Sequence, residues 1–218
     1  MQGYVYEALR ELFLQKAIVL REPQFKRLPI KVDLAVLDTN PFVREVIFTL
    51  LAYRIDARAY DGVMPAVDDC RALAAIYADR CGLPFVLPME VTASPSAPVL
   101  FYGNMPQQSC LVLLNAYNLP STVSEFVAHP LVRVLNAARE KRYRVQKAIS
   151  IFDADRDGYL RRHIASLSGP TVAYEAIFEL GEVFRIIGSN PSDFQLSADK
   201  VTKAKEHYET QDLFFSKQ

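Results

Sequence analysis

Asp153, Asp155 and Asp157 place three carboxylates at alternate positions, followed at once by Gly158 and then by the apolar Leu160. Oxygen ligands at the first, third and fifth positions with a turn glycine at the sixth are what a Ca2+ loop of the EF-hand type supplies. The twelfth position, which should bring a bidentate Glu, is Ile164, and a strand-like apolar run rather than a helix precedes the loop. The expected reading is therefore a solvated acidic turn. A calcium-binding module through 153–164, with Asp153, Asp155 and Asp157 as the metal ligands, is an alternative.

A second constellation suits anions. Cys110 to Leu114 is a continuous apolar run, the pattern of a strand buried on both faces. Asn115 to Pro120 interrupt it, and Thr122 opens a helix with Glu125 three positions on, which completes a capping box. A buried strand that feeds a helix through a short loop aims backbone N–H groups at whatever the loop holds. Asn115, Asn118, Ser121, Thr122 and Ser124 are the candidate phosphate- or nucleotide-binding residues. Ordinary helix capping by the same hydroxyls is the competing reading.

Two further groups carry charge. Arg139, Lys141, Arg142, Arg144 and Lys147 form a basic cluster around Tyr143. A solvated helix end, favourable to its own dipole, explains such a cluster; a nucleic-acid patch gains weight if the cations converge in space. His129, His163 and His207 have no Ser or Cys in an elbow motif beside them and read as surface histidines.

The elements that must position these groups are set by periodicity. Apolar residues at Val5, Leu9, Leu12 and Phe13 mark a helix, and 25–37 reads as an extended or short-strand element. Asn40-Pro41 starts a helix through Tyr53, 57–64 is a strand, and a helix capped at Val67-Asp68-Asp69 runs to Arg80 and closes at Gly82. Short strands at 85–87 and 99–102 flank a Ser/Pro loop at 92–98. The Thr122 helix extends to about Arg144, bent at His129-Pro130, and strands at 145–152 and 172–177 lead to a helix at 178–187 and a polar helix at 197–208. The order, helices and then β-α-β-β-β-α-β-β-α, argues for a doubly wound, mostly parallel α/β sheet flanked by helices.

Composition limits the function. The chain has 218 residues, half of them hydrophobic, with 25 basic and 25 acidic residues. A formal net charge of zero gives no support to nucleic-acid or membrane binding driven by bulk charge. Cys70, Cys81 and Cys110 have no metal-ligand spacing and suggest free thiols. No apolar run approaches transmembrane length, and the first residues do not resemble a secretory leader. The expectation is an intracellular protein of the cytoplasm or an organelle.

Several phrases resemble the orotate phosphoribosyltransferases, which have the type I phosphoribosyltransferase fold. The opening helix with Lys16 to Leu20 is similar to the family's entry helix and hood segment, and Tyr60 to Val67 stands at its pyrophosphate loop. Gly82 to Val86 comes next in the family's manner, Leu111 to Thr122 stands at its diphosphosugar signature, and Ile149 to Gly158 at the next strand and turn. The resemblance implies a phosphoribosyltransferase-like domain over 1–190, with the helix and hood segment in 1–40, and a C-terminal helical tail over 191–218. It also implies a pair of adjacent carboxylates after the central strand, where this chain has Asn115 and Ala116. A phosphate-cradling Gly is implied near Pro120, which has no N–H to donate. Asp68 and Asp69 face the place of the pyrophosphate, and the basic residue and His-Gly loop implied after Phe85 are replaced by Pro88-Met89-Glu90.

The expectation is thus a catalytically degenerate phosphoribosyltransferase-like protein without catalytic residues, acting as a binding or structural subunit. An active but divergent orotate or other base phosphoribosyltransferase is an alternative, with Mg2+ as cofactor only in that case and Ca2+ not expected. Expected partners are a second copy or a protein of a larger assembly, with a weak nucleotide or phosphate as a candidate ligand, and neither membrane nor nucleic acid. The candidate contact residues are Tyr4, Tyr6, Phe13 and Leu14, which lie off the first helix's apolar stripe, and Leu213-Phe214-Phe215.

Overall fold

The computed structural model describes residues 2–24, 28–66, 70–90, 99–103, 105–118, 129–168 and 172–210. Helix α1 (Gln2–Leu14) buries Leu9, Leu12 and Phe13, and β1 (Ile18–Leu20) pairs antiparallel with β2 (Ile30–Val32). Asp33 then caps α2 (Leu34–Thr39) by accepting from the Val36 N–H, so the second half of the stretch expected to be extended is helical. Asn40 caps α3 (Pro41–Ala52) by accepting from Phe42 and Val43, with Pro41 where a missing N–H costs nothing.

The α/β unit continues as β3 (Gly62–Pro65), α4 (Arg71–Cys81), β4 (Leu87–Glu90), β5 (Val99–Tyr102), β6 (Cys110–Asn118), α5 (Pro130–Glu140), β7 (Arg144–Asp153), α6 (Tyr159–Ser168), β8 (Ala173–Glu179), α7 (Leu180–Ser189) and α8 (Ala198–Thr210). Gly82 ends α4 at φ 65°, a left-handed position that a side chain would strain. β3, β6, β7 and β8 form a parallel sheet in that order, and β4 and β5 form a separate antiparallel hairpin. On the far side of β3, Val63 bridges Phe85 in parallel, with N–H···O distances of 2.9 Å from Val63 to Pro84 and from Val86 to Val63. The chain therefore grows outward from β3 in one direction through Phe85 and in the other through β6, β7 and β8. Between β3 and β6 lies the topological switch point at which open α/β sheets bind ligands.

Alternation along the central strand sets the two layers. Val112 and Leu114 join a core with Leu9, Ile47, Leu51, Ile149 and Phe184, whereas Leu111 and Leu113 join one with Leu131, Leu135, Ala148, Leu160 and Ile164. Opposite faces of one strand both meet apolar helices, and this makes the sheet doubly wound. Val201, Ala204 and Tyr208 of α8 belong to the first of these cores, with the Tyr208 ring 5.3 Å from that of Phe184.

Three further expectations change. No helix was expected between the strands at 145–152 and 172–177, yet α6 stands there with Leu160 and Ile164 buried. Parallel neighbours cannot be joined by a hairpin, so a crossover is required; the adjacent Arg161, Arg162 and His163 obscure its short apolar stripe. β6 does not stop at Leu114 but pairs with β7 as far as Asn118 opposite Asp153. A helix bent at His129-Pro130 is replaced by one that begins at Pro130, with His129 extended before it at φ −63° and ψ 125°. Val67 to Asp69, the loop at 92–98, the expected helix start at Thr122 and Leu213 to Phe215 lie outside the described residues. Among the described residues no helix is long and apolar enough to cross a membrane.

Candidate functional site

The switch point lies at the carboxyl ends of β3 and β6, beyond Pro65 and Asn118. The Ala66 N–H donates to the Leu114 carbonyl at 2.6 Å, and the buried Cys70 thiol donates to the same oxygen at 3.0 Å. The end of β3 and the residue that precedes α4 are thereby tied to the middle of β6. Asn115 and Ala116 stand where the resemblance implies two carboxylates, and they are 1% and 2% exposed. Neither offers a negative charge, and neither side chain faces solvent.

Asn115 belongs to a chain of polar groups buried across three strands. Its Nδ2 donates to Ser150 Oγ on β7 at 2.9 Å. The Tyr174 hydroxyl of β8 lies 3.0 Å from Ser150 Oγ and 2.9 Å from Asp153 Oδ2. A phenol has one proton, so Tyr174 gives it to the carboxylate and accepts from Ser150. Donation thus runs from Asn115 through Ser150 and Tyr174 to the charge on Asp153. Burial, and then the Asp153 charge, raise the Tyr174 hydroxyl well above its ordinary pKa.

Asp153 is 7% exposed, so the turn expected to be solvated begins with a buried carboxylate. Its Oδ1 accepts from the Asp155 N–H at 2.9 Å, and Asp155 Oδ2 accepts from the Leu160 N–H at 2.6 Å, at the start of α6. Asp157 lies 3.6 Å from Arg156 Nε, and Gly158 turns the chain at φ 65°. Arg161 pairs with Glu179 at 2.6 Å, and a small cleft of about 150 Å³ lies beside these groups and Tyr208. Two of the three expected metal ligands are thus engaged in holding the strand end and the helix start. Among the described residues no group of three or more His, Cys, Asp or Glu is arranged to hold a metal. Mg2+ finds no carboxylate at Asn115 or Ala116, so those residues do not fit the cation that the resemblance implies.

Of the five residues expected to bind phosphate, Asn115 is buried in the polar chain and Asn118 contributes a paired strand backbone. Ser121, Thr122 and Ser124 lie outside the described residues. Ser150 and Tyr174 escaped sequence reasoning, although a polar residue inside an apolar strand run such as Ala148–Phe152 signals a buried hydrogen bond. The histidines are not surface groups: all three are half-buried, and Nδ1 of His129 and Nε2 of His163 are sealed from solvent. Burial first, and then the charge of His163, lower the His129 pKa to about 4.

The four-stranded parallel sheet, the helices on both faces and the N-terminal β1–β2 segment define a type I phosphoribosyltransferase-like α/β fold. No protein-family model and no curated protein sequence matches the chain. Among solved structures it is similar to UMP synthase of Leishmania donovani, with a TM-score of 0.70 and 14% identity over 94% of this chain. It spans 42% of that longer protein. It is similar as well to orotate phosphoribosyltransferase from Aeropyrum pernix, with a TM-score of 0.61 and 17% identity over 84% of this chain and 99% of that one. Adenine phosphoribosyltransferase from Leishmania tarentolae gives 0.58 and 18% over 80% and 88%. At such identities the likeness is one of fold.

Proposed function

We propose that the chain is a phosphoribosyltransferase-like domain that has lost transfer activity and serves as a binding or interaction subunit. The observation that carries this reading is the carboxyl end of β6. Asn115 and Ala116 take the place of the carboxylate pair and are sealed inside the fold, the first by its bond to Ser150. Stabilising the cationic sugar of a transfer reaction requires preorganised negative charge beside it. An amide committed to a neighbouring hydroxyl and a methyl group supply none.

The outward face of the β4–β5 hairpin supports a protein partner. Met89, Leu100 and Tyr102 are 37%, 44% and 57% exposed there, and Met89 stands opposite Leu100 in the register. Apolar side chains adjacent on one exposed face mark a contact surface. The first helix contributes less than its sequence suggests. Phe13 is buried and Tyr6 half-buried, each edge-on to Phe194, and Tyr6 donates to Asp193 at 2.5 Å; Tyr4 stays exposed beside Tyr53.

The test supplies orotate, adenine or another base with 5-phosphoribosyl 1-diphosphate and Mg2+ and monitors nucleotide formation. No turnover is expected; a rate near about one per second, ordinary for enzymes, would refute the loss of activity. Light scattering of the full chain should find a dimer or larger species that Leu100→Glu converts to monomer. A clean monomer that co-purifies with no stoichiometric partner would refute the interaction role.

A further inference from the structure

The basic cluster of the sequence gathers at the end of the sheet opposite the switch point. Arg144 and Lys147 lie at the amino end of β7, Arg139 and Tyr143 at the end of α5, and Tyr60 just before β3. These five side chains line one cleft of about 510 Å³, within the size range of small-molecule sites. Its lining holds three cations and no carboxylate, with Leu135 and Val172 as apolar wall.

The helix dipole accounts for only part of this. It favours cations at Arg139 and Lys141, but Arg144 and Lys147 stand on a strand. The carbonyls of Ala137, Ala138 and Arg139 are moreover already taken by the N–H groups of Lys141, Tyr143 and Arg142, at 2.9–3.1 Å. Two nearby acids, Glu175 and Asp61, have partners of their own. Glu175 Oε1 lies 2.9 Å from Lys147 Nζ and its Oε2 lies 3.6 Å from Arg54, so one carboxylate serves two cations. Asp61 accepts from the Cys110 N–H at 2.7 Å. Arg144 is exposed and has no carboxylate partner among the described residues. An excess of positive charge therefore faces the cleft.

The aromatic groups narrow the ligand. Tyr143 is held edge-on to Phe101, with centroids 5.6 Å apart at 88°, and Tyr60 is half-buried on the other side of the strand ends. Flat rings held in place offer stacking surface, and guanidinium groups match phosphate oxygens in a planar, bidentate way. Bare phosphate would leave the aromatic wall uncovered, and a neutral base would leave the exposed Arg144 without an anion. We propose that this cleft is a binding site for a mononucleotide, with phosphate on Arg144 and Arg139 and the base against Tyr143 or Tyr60. The site is separate from the switch point and does not depend on whether transfer activity survives.

Calorimetric titration of the full chain with AMP, GMP, CMP and UMP tests it, with inorganic phosphate and the matching nucleosides in parallel. At least one mononucleotide should bind with a dissociation constant below about 1 mM, and its nucleoside and inorganic phosphate should bind at least about tenfold more weakly. Arg144→Glu should weaken the nucleotide at least about tenfold, and added salt should weaken it as well. Arg144 is exposed, so its thermal midpoint should hold; should it fall, Arg144→Gln takes its place with a loss of at least about threefold. No saturable binding of any of the four would overturn the proposal. So would phosphate binding as tightly as the nucleotide, or affinity unchanged by substitution of Arg144.

Discussion

Replacing Tyr174 by Phe removes one oxygen from the polar chain and keeps the ring that fills the α6 side of the sheet. The hydroxyl lies 2.9 Å from Asp153 Oδ2 and 3.0 Å from Ser150 Oγ, and Ser150 is 0% exposed. A hydrogen bond to a charged acceptor contributes roughly 1.5–3 kcal/mol, and leaving the Ser150 donor without its acceptor adds about 1 kcal/mol. The expected loss is about 3 kcal/mol. At roughly 2–4 °C per kcal/mol for a domain of this size, the thermal midpoint should fall by about 9 °C. Urea denaturation followed by circular dichroism measures the first figure and calorimetry the second. Combining Tyr174→Phe with Ser150→Ala should cost less than the sum of the two single changes, because the second removes the donor that the first strands. A loss below about 0.5 kcal/mol, or strict additivity, would refute the polar chain and with it the argument that Asn115 is committed to the fold.

The same reasoning makes restoration of the carboxylate pair unfavourable. Asn115→Asp with Ala116→Asp should yield no transfer activity and should destabilise by about 3 kcal/mol or more, since two charges enter buried positions; a stable, active variant in the transfer assay would defeat this. Acid should also weaken the fold through His129. Its pKa is about 4 when folded against an ordinary 6.5, so between those values the unfolded chain binds a proton that the folded chain does not. Stability present above pH 6.5 is lost as the pH falls toward 4, by up to about 3 kcal/mol. Urea midpoints at neutral and acidic pH measure the slope, and His129→Gln should flatten it; an unchanged slope would show that other groups carry it. Alkali acts in the opposite sense on Tyr174. Its raised pKa leaves its contribution intact below pH 10 and removes it as the pH rises beyond, so denaturation at rising alkaline pH should show a loss that Tyr174→Phe lacks.

Much of the architecture was legible in the sequence because it rests on local signals. The apolar run Cys110–Leu114 reads as a strand buried on both faces, Asn40-Pro41 as a helix start and Gly82 as a helix end, and each stands where expected. The absence of a carboxylate at Asn115 and Ala116 is likewise a property of the sequence. Pairing across the sheet decided the rest. α6 exists because β7 and β8 are parallel, and no local period announces that requirement. β6 continues through Asn115 to Asn118 because β7 offers it partners up to Asp153, although isolated residues of these types favour a loop. The aspartates of 153–157 have the spacing of a metal loop, but the fold aims one at Tyr174 and another at the start of α6. Arg139, Arg144 and Lys147 read as a solvated helix end until Tyr60, remote in sequence, closes a cleft around them. Residue type sets which bonds a side chain can make; only the tertiary structure sets which partner comes within reach.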